Sequence, residues 1–416
     1  MFFSFWPRLG EFSRNRKDIT SDLIAGVTVA VVALPLAIGF GITSGMSAAA
    51  GLTTAIIAGF LAAVFGGSKF QVSGPTGAMT VILIPVIQKY GPTAIPALGV
   101  MAGVMVVLMA IFKLGAVINR VPWAVVEGFT VGIALVISLQ QIPLALGIAK
   151  GGGDNAVQVA WNTITDALKN GLNFTSLFIV TLTLVIKFNF HRFSKLIPFH
   201  IPASFISLFL VTLIVKVFSI DLITIGTIPR SIGDIQSVSF TNFSNLLIPA
   251  LWIALLAAVE SLLAARVADG MAHEKEGFEP NRELFGQGVA TLVASIFGGM
   301  PATGAIARTS VNVRSHAKSR LAAVFHALVL LLIAFIAAPI VSYIPTAAIA
   351  GLLLGVSYRI LNPNSLRESL QTTRSEAATL LVTAVCVLAI DLIWGMAIGI
   401  ALHWFLGRIK VGRWKG

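Results

Sequence analysis

The chain has 416 residues, of which 56% are hydrophobic and 11% are charged, and its mean hydropathy is +0.92. This composition excludes an ordinary soluble domain and indicates an integral membrane protein. The formal net charge of +12 does not indicate nucleic-acid binding, because lysine and arginine are scattered through short segments rather than gathered on one basic face.

The hydropathy pattern predicts about fourteen membrane-spanning segments, since a spanning helix needs roughly 20 apolar residues. The first seven predicted spans are 23–41, 51–65, 76–88, 94–114, 123–146, 174–188 and 201–218. The second seven are 247–265, 284–297, 303–313, 321–341, 346–358, 377–392 and 394–406. The predicted fold class is therefore an all-α integral membrane protein.

Basic residues flank both ends of this set of spans. They are Arg8, Arg14, Arg16 and Lys17 before the first span, and Arg408, Lys410, Arg413 and Lys415 after the last. Because lysine and arginine mark the cytoplasmic side of a membrane, both termini are predicted to be cytoplasmic. An even number of spans is required by that orientation.

Two segments of the chain resemble each other. Residues 51–67 align without gaps to residues 283–299, at an offset of about 232, and both segments end in Phe-Gly-Gly. Each is followed by a proline and then by Thr-Gly-Ala, at 76–78 and at 303–305. Seven spans per half is an odd number, so the halves are predicted to form an inverted repeat. The predicted organisation is a cytoplasmic segment 1–19, a first repeat 20–218, an extracytoplasmic connection 219–246, a second repeat 247–407 and a cytoplasmic tail 408–416.

The Gly/Pro breaks at the start of spans three and ten predict an anion-binding site. A helix that begins inside the membrane presents unpaired N–H groups and roughly half a positive charge. Paired breaks in corresponding positions of two halves are typical of a secondary transporter. Arg308 lies in span ten, where an arginine costs roughly 2.5 to 3.5 kcal/mol unless it has a partner. We interpret it as electrostatic support for an anion; the alternative is that it extends to the membrane surface.

Glu260 is the most conspicuous acid, because residues 251–265 are otherwise apolar. An isolated carboxylate inside a membrane indicates a proton carrier or a cation ligand near the substrate. Ser261 would add a hydroxyl oxygen. The alternative is a structural acid, hydrogen-bonded within the bundle or paired with Arg308. Glu127 is interpreted as structural and Asp391 as a turn residue.

Two further patterns bear on enzymatic chemistry. Gly-Gly-Gly-Asp at 151–154 precedes an amphipathic stretch, 154–169, and is interpreted as a hinge before a short interfacial helix rather than as half of an aspartyl-protease site. His273 and Glu274 lack the second histidine of a zinc motif, since position 277 is glycine. No metal site is predicted.

Four motifs together resemble the SulP family of inorganic anion transporters, and the resemblance covers nearly the whole chain. They are Asp-Leu-Ile-Ala-Gly-Val at 22–27, Leu-Pro-Leu-Ala-Ile-Gly-Phe-Gly at 34–41, Gly-Pro-Thr-Gly-Ala at 74–78 and Gly-Ala-Ile-Ala-Arg-Thr at 304–309. The resemblance implies a seven-plus-seven inverted repeat. It also implies that a core domain of spans one to four and eight to eleven moves against a gate domain.

The same resemblance implies the site residues. The substrate-binding positions are Phe40, Thr76, Gly77, Ala307, Arg308 and Thr309, and the coupling-ion positions are Glu260 and Ser261. Sodium-coupled bicarbonate members of the family pair the acid with a hydroxyl one turn later, where this chain has Ala264. That departure favours a co-transported proton over a sodium ion.

We therefore expect a transporter rather than an enzyme, with no cofactor and no nucleic-acid partner. Its expected activity is the proton-coupled uptake of sulfate or a similar oxyanion. The alternatives are a sodium-coupled bicarbonate transporter, a nucleobase symporter of related architecture, and an uncoupled anion channel or exchanger. The family suggests a homodimer in a bacterial inner membrane. Its members usually continue into a cytoplasmic STAS domain, which we do not expect in a sequence that stops at Gly416.

Overall fold

The structure is a computed structural model that describes residues 5–118, 121–153, 155–193, 202–226, 231–239, 241–274, 277–361, 363–390 and 392–408. Its helices in the first half are α1 (Arg16–Thr43), α2 (Ala48–Phe65), α3 (Gly77–Tyr90), α4 (Ile95–Ile111), α5 (Gly115–Ile118), α6 (Trp123–Gln140), α7 (Ile142–Leu146), α8 (Ala156–Asn170), α9 (Phe174–Phe193) and α10 (Ala203–Val217). In the second half they are α11 (Phe243–Ala272), α12 (Pro280–Ile296), α13 (Ile306–Arg314), α14 (Leu321–Val341), α15 (Thr346–Leu361), α16 (Pro363–Leu370), α17 (Arg374–Ala389) and α18 (Leu392–Arg408). Two short strands are β1 (Ser73–Gly74) and β2 (Thr303–Gly304).

A helix lies at each of the predicted spans, which confirms the all-α membrane fold. Among the described residues, five stretches are long and apolar enough to cross a membrane by length and composition. They are Arg16–Thr43, Ala48–Phe65, Pro92–Ile111, Trp123–Leu146 and Phe243–Ala272. Shorter apolar helices lie at several other predicted spans, among them Gly77–Tyr90 and Ala203–Val217. The predicted turn residue Asp391 lies outside the described residues.

The two breaks differ from the prediction in one respect. Span ten was predicted to be helical from 303, but residues 303 and 304 form strand β2 and helix α13 begins only at Ile306. Strand β1 precedes α3 in the same way, and the two strands pair antiparallel, with Ser73 opposite Gly304 and Gly74 opposite Thr303. The extended residues satisfy each other's backbone groups across the two halves, which a helix begun earlier would not allow.

The described residues fall into two compact units. The first comprises Met1–Asn119, Phe190–Ile206 and Thr224–Ile344, and the second comprises Arg120–Asn189, Ser207–Ile223 and Pro345–Gly416. The first unit therefore contains the helices of spans one to four and eight to eleven, as the predicted core domain does. The second contains the helices of the predicted gate domain. Each compact unit draws on both sequence repeats.

Small residues let helices of the first unit approach closely. A Cβ atom at Gly41 of α1 would lie 2.9 Å from the backbone nitrogen of Gly51 on α2. At the crossing of α2 and α12, a Cβ atom at Gly286 would lie 2.5 Å from Cα of Gly66. Membrane helices associate through such close backbone packing. In the second unit, α17 packs against α6 and α18.

The N-terminal segment packs on the first unit ahead of α1. Phe5 stacks on Phe285 of α12, with ring centroids 4.8 Å apart. Glu11 accepts hydrogen bonds from both terminal nitrogens of Arg282, with Nη2 at 2.7 Å, and its Oε2 lies 3.3 Å from Nε of Arg320. Arg282 and Arg320 are each only 2% exposed. Glu11 is therefore paired with two buried arginines.

The predicted interfacial stretch is a helix, α8, although Asp154 lies outside the described residues. Its apolar residues Val157, Trp161 and Leu168 are exposed, whereas Ala160 and Ala167 on the other side are buried. An exposed apolar face on an otherwise polar helix suits a helix lying along a membrane surface.

Candidate functional site

The candidate site is built on the β1–β2 pair, because each strand leads directly into a short helix. The residues after β1 enter α3, and the residues after β2 enter α13. Gly74 has a φ of +153°, a conformation that side chains disfavour, and Pro75 follows it. The pairing places the N-termini of α3 and α13 beside one ladder, and helix N-termini attract anions.

The two helix N-termini are not equivalent. Thr76 precedes α3, and its hydroxyl accepts the backbone N–H of Met79 at 3.5 Å. Ala305 precedes α13 and has no side-chain oxygen to offer. The first N–H groups of a helix have no partner within the helix, so those of Ile306 and Ala307 remain available to a ligand. Ala307 is exposed, as a substrate-contacting position requires.

Glu260 on α11 joins the two breaks. Its Oε2 accepts a hydrogen bond from the hydroxyl of Thr303 at 2.6 Å and from that of Thr76 at 3.1 Å. The two hydroxyl oxygens lie 3.2 Å apart. Ser261, the next residue on α11, accepts the backbone N–H of Gly304 at 3.0 Å. The predicted residues Glu260, Ser261 and Thr76 thus lie together.

Thr303 was not among the predicted site residues. It makes the shorter hydrogen bond to Glu260, and the sequence contained a signal for it. Thr-Gly-Ala occurs both at 76–78 and at 303–305, so a role for Thr76 in the first break suggested one for Thr303 in the second.

Arg308 is the third residue of α13, and only 1% of it is exposed. Its Nη2 donates to the carbonyl oxygen of Pro75 at 2.7 Å, while Nη1 is buried with no partner in the described part of the chain. The side chain does not extend to the membrane surface. It crosses from the second break to the first and brings a positive charge behind β1.

The other predicted substrate positions occupy different places. Phe40 is 7% exposed on α1, and Gly77 is buried at the first position of α3. The hydroxyl of Thr309 accepts the backbone N–H of Val72 at 3.0 Å. That bond supports the segment before β1 and leaves the Thr309 side chain fully buried.

A buried polar network holds the site from behind. Glu283 at the start of α12 accepts the N–H groups of Gly67 at 2.8 Å and Ser68 at 2.9 Å, and the side-chain amide of Gln71 at 2.6 Å. A Cβ atom at Gly304 would lie 2.6 Å from the amide carbon of Gln71, so this amide packs directly on β2. In the other half, Thr54 of α2 accepts the N–H of Met300 at 2.7 Å. Each half of the chain therefore stabilises the loop that precedes the break in the other half.

Two remaining predictions concern groups outside this site. The carboxylate of Glu127 accepts a hydrogen bond from Ser369 of α16, in the second unit, which agrees with a structural role. Within the described residues, no group of three histidine, cysteine, aspartate or glutamate side chains is arranged to hold a metal ion.

Two known proteins are similar in sequence to this chain. The chain is 38% identical over 395 residues to the protein named "Putative sulfate transporter YvdB" of Bacillus subtilis, covering 93% of this chain and 73% of that protein. It is 31% identical over 396 residues to the bicarbonate transporter BicA of Picosynechococcus sp., covering 92% of this chain and 69% of that protein.

Solved structures share the fold. The transmembrane domain of a cyanobacterium bicarbonate transporter BicA superposes with a TM-score of 0.81 at 27% identity, covering 94% of this chain and 98% of that one. SLC26A9 superposes with a TM-score of 0.85 over 97% of this chain and 67% of that one, and at 15% identity it shows the fold alone.

The sequence profile of the sulfate permease family matches residues 19–383. This is a family of anion transporters and not of enzymes. The resemblance seen in the four motifs is thereby confirmed, and the chain belongs to the sulfate permease family.

Proposed function

We propose that this protein takes up sulfate, or a similar small oxyanion, together with protons by alternating access. The observation that carries the proposal is the shared hydrogen bonding of Thr76 and Thr303 to one oxygen of Glu260. Because the proposed proton-binding carboxylate contacts Thr76, which precedes α3, and Thr303 in β2, which leads into α13, anion and proton would occupy one linked site. Linked occupancy is the basis of symport.

The anion would bind between the N-termini of α3 and α13. Backbone N–H groups at Gly77 and Ala307 would donate to it, Arg308 would supply positive charge from behind β1, and Phe40 would limit the site from α1. In such a site the helix N–H groups carry partial positive charges and Arg308 carries a full one, while Glu260 is the acid that faces them. Neutralising that acid with a proton removes the one group that repels an anion.

The hydrogen bonds at Glu260 are compatible with a carboxyl group that gains and loses a proton. A distance of 2.6 Å between the oxygens of Thr303 and Glu260 is that of a hydrogen bond, with a hydrogen between the two atoms. Threonine hydroxyls can donate to an ionised carboxylate and accept from a protonated one, so the cluster suits both states. Ala264, one turn further along α11, is buried and adds no oxygen.

Charge movement also favours coupling to protons. Each negative charge that enters against an inside-negative potential costs roughly 2.3 kcal/mol per 100 mV. A divalent anion needs co-transported positive charge to enter a cell, and protonation of Glu260 would supply one such charge.

The second candidate is a sodium-coupled bicarbonate transporter. The side-chain oxygens of Glu260, Thr76 and Thr303 lie within 3.2 Å of one another, and clustered oxygens are the ligands that hard cations prefer. BicA, whose transmembrane domain shares this fold, is named as a bicarbonate transporter.

Uptake into proteoliposomes containing the purified full chain distinguishes these functions. Radiolabelled sulfate and bicarbonate are each offered under an imposed proton gradient and then under an imposed sodium gradient. Proton-driven, saturable sulfate uptake is expected. Sodium-driven bicarbonate uptake would establish the second candidate, and flux that rises linearly with concentration and voltage would indicate a channel.

The variant Glu260→Gln tests the proposed coupling residue. It should abolish proton-driven uptake while sulfate exchange between the two sides continues, because exchange needs no net proton movement. Glu279→Gln is the matched control, since the side chain of Glu279 is exposed and pairs with Arg8 at the surface, 3.6 Å apart. Unchanged proton-driven uptake by Glu260→Gln would exclude Glu260 as the proton site.

We also propose that the protein works as a homodimer in a bacterial inner membrane, with segments 1–19 and 408–416 on the cytoplasmic side. A bacterial relative supports the location in a bacterial membrane, and the basic residues at both ends support a cytoplasmic position for both termini. Single cysteines introduced into each end of a Cys386→Ser chain would test the cytoplasmic position of both ends. A membrane-impermeant thiol reagent applied to intact cells should leave these cysteines unlabelled.

A further inference from the structure

Exposed basic side chains gather at one end of the first unit. Three lie at the start of α1, and two lie at or just after the end of α13, the helix that carries Arg308. They are Arg14, Arg16, Lys17, Arg314 and Lys318, and we call them the basic patch. Among the described residues, none of these five forms an ion pair. Their positive charge is therefore available to a partner outside the chain.

Hydrogen bonds hold the two parts of the basic patch together. The hydroxyl of Ser21 on α1 donates to the carbonyl oxygen of His316 at 2.7 Å, although the two residues are 295 positions apart. Asp22, also on α1, accepts the backbone N–H groups of Lys318 at 2.6 Å and Ser319 at 3.1 Å. The basic residues are scattered in the sequence, but the fold brings the segments that carry these five side by side.

Positive charge exceeds negative charge in these segments. Asp18 is the acid in the first turn of α1, and its Oδ2 accepts the hydroxyl of Ser13 at 3.2 Å. Asp22 is fully buried, with both carboxylate oxygens bound to the segment before α14. Arg16 and Lys17 occupy the first two positions of α1, where the helix dipole disfavours positive charge. A bound anion would relieve this repulsion.

An exposed apolar face lies on α1 next to the basic patch. Leu23 is 43% exposed and Val27 is 40% exposed. With 3.6 residues per turn, both lie on the same face as Arg16, because they follow it by seven and eleven residues. The helical rise places Leu23 about 10 Å further along the axis than Arg16. Helix α1 is long and apolar enough to cross a membrane, so this face suits lipid chains beside a group of cations.

We propose that the basic patch binds the phosphate group of an anionic phospholipid, whose acyl chains lie along Leu23 and Val27. Arginine and lysine are the side chains that bind phosphate oxygens, and clusters of them beside a membrane helix attract anionic lipids. A phosphate-containing solute would use the basic patch but not the apolar face, so the two features together assign the lipid. The bound headgroup would contact both α1 and the end of α13. The inference needs only the membrane fold, and not the identity of the transported anion.

Lipid binding by the purified full chain tests the inference. Native mass spectrometry in a non-ionic detergent gives the affinities for phosphatidylglycerol and for phosphatidylcholine with the same acyl chains. The anionic lipid should bind the wild-type protein more tightly, because the choline group of the other lipid cancels the phosphate charge. The binding of phosphatidylglycerol should weaken when the ionic strength rises to about 1 M, where the Debye length is about 3 Å.

The variant Arg14→Gln/Lys17→Gln/Lys318→Gln removes three charges of the basic patch. Each basic residue near an anionic surface contributes roughly fivefold in affinity, so the affinity for phosphatidylglycerol should fall by about 100-fold. The affinity for phosphatidylcholine should stay the same. All three side chains are exposed, so the unfolding temperature in phosphatidylcholine should equal that of the wild type. That measurement separates loss of binding from loss of folding.

The matched control is Lys89→Gln/Lys150→Gln/Lys169→Gln, which removes the same charge from exposed lysines outside the basic patch. These lysines follow the predicted spans three and five, which places them on the opposite side of the membrane from the start of α1. The affinity of this control for phosphatidylglycerol should equal that of the wild type.

Three results would each overturn the inference. The first is an equal affinity of the wild-type protein for the two lipids, and the second is an equal loss of affinity in the two triple variants. The third is complete displacement of phosphatidylglycerol by inorganic phosphate or glycerol phosphate at the same concentration as the lipid. That displacement would show that the headgroup binds without any contribution from the acyl chains.

Discussion

Gly74 lies so close to the guanidinium of Arg308 that a Cβ atom at this glycine would be 2.5 Å from Nη1. Arg308 passes behind the strand at this point to reach the carbonyl oxygen of Pro75. The absence of a side chain at Gly74 is therefore a condition for the position of the buried charge.

Gly74→Ala should impair transport strongly. The new methyl group would displace Arg308, and a φ of +153° is strained for alanine. We expect the rate of sulfate uptake to fall at least tenfold, equivalent to about 1.4 kcal/mol. The control is Gly270→Ala on α11, where nothing lies within 4 Å of the added Cβ, and it should keep wild-type uptake. Equal rates for both variants would contradict the role given to Gly74.

Thr303→Val should impair proton-driven uptake because it removes the 2.6 Å hydrogen bond to Glu260 while keeping the shape of the side chain. Hydrogen bonds to charged groups contribute about 1.5 to 3 kcal/mol, so a loss of roughly 10- to 100-fold is expected. Thr303→Ser should restore most of the activity, since it keeps the hydroxyl.

The control for that series is Thr28→Val. Among the described residues, the hydroxyl of Thr28 bonds only to the carbonyl oxygen of Ile24 on its own helix, at 2.8 Å. Uptake rates measured in the same proteoliposomes should not change. Failure of Thr303→Ser to recover activity would show that size, and not the hydroxyl, matters at this position.

Glu11 should make the stability of the protein sensitive to acid. Burial raises the pKa of Glu11, but the hydrogen bond from Arg282 and the charges of Arg320 and Arg282 outweigh this and leave the pKa below its ordinary value of 4.5. A lowered pKa in the folded state stabilises the protein above the pKa of the unfolded chain. This contribution is lost as the pH falls below 4.5 and through the lower folded value.

The measurement is the unfolding temperature of the detergent-solubilised protein as a function of pH. Glu11→Gln should destabilise the protein at pH 7 by about 3 kcal/mol, because it removes the carboxylate that pairs with two buried arginines. It should also flatten the decline of the unfolding temperature in acid. A variant whose decline matches that of the wild type would show that other carboxylates cause the acid sensitivity.

The contributions of Glu283 and Gln71 to the free energy of unfolding should be coupled. Glu283→Gln weakens three hydrogen bonds to a buried carboxylate and should lower the free energy of unfolding by about 1 to 3 kcal/mol. Gln71→Ala removes one of the same bonds. In a double-mutant cycle, the effect of the pair should be smaller than the sum of the single effects by about 0.5 kcal/mol or more. Strict additivity would mean that the 2.6 Å contact contributes nothing to stability.

Much of the site could be predicted because its residues break local rules. Glu260 is an acid in an apolar helix, and the duplicated Thr-Gly-Ala marks both broken helices. Strands β1 and β2 could not be predicted, since two residues show no periodicity and their pairing partner lies in the other half of the chain. The hydrogen-bond partner of Arg308 could not be predicted either, because Pro75, whose carbonyl oxygen it binds, is 233 positions away.

The contacts of the N-terminal segment could not be predicted either. Nothing local to Glu11 indicates that it neutralises Arg282, which is 271 positions away. The hydroxyl of Thr309 was expected to face a substrate, but the structure places it on the N–H of Val72, a use that a motif alone does not reveal. Residue identities therefore predicted which residues lie near the site. The hydrogen bonds between those residues could not be predicted, because they join the two halves of the chain.

The pairing of β1 with β2 has a consequence for how the protein is made. The backbone groups of each strand are paired only when the other strand is present, and the two strands are encoded in opposite halves of the gene. During synthesis, β1 must remain unpaired while α3 to α12 are translated and inserted, because chains emerge from the N-terminus. The transport site is thus assembled late, and two half-chains produced separately would each carry half of a site that becomes functional only on association.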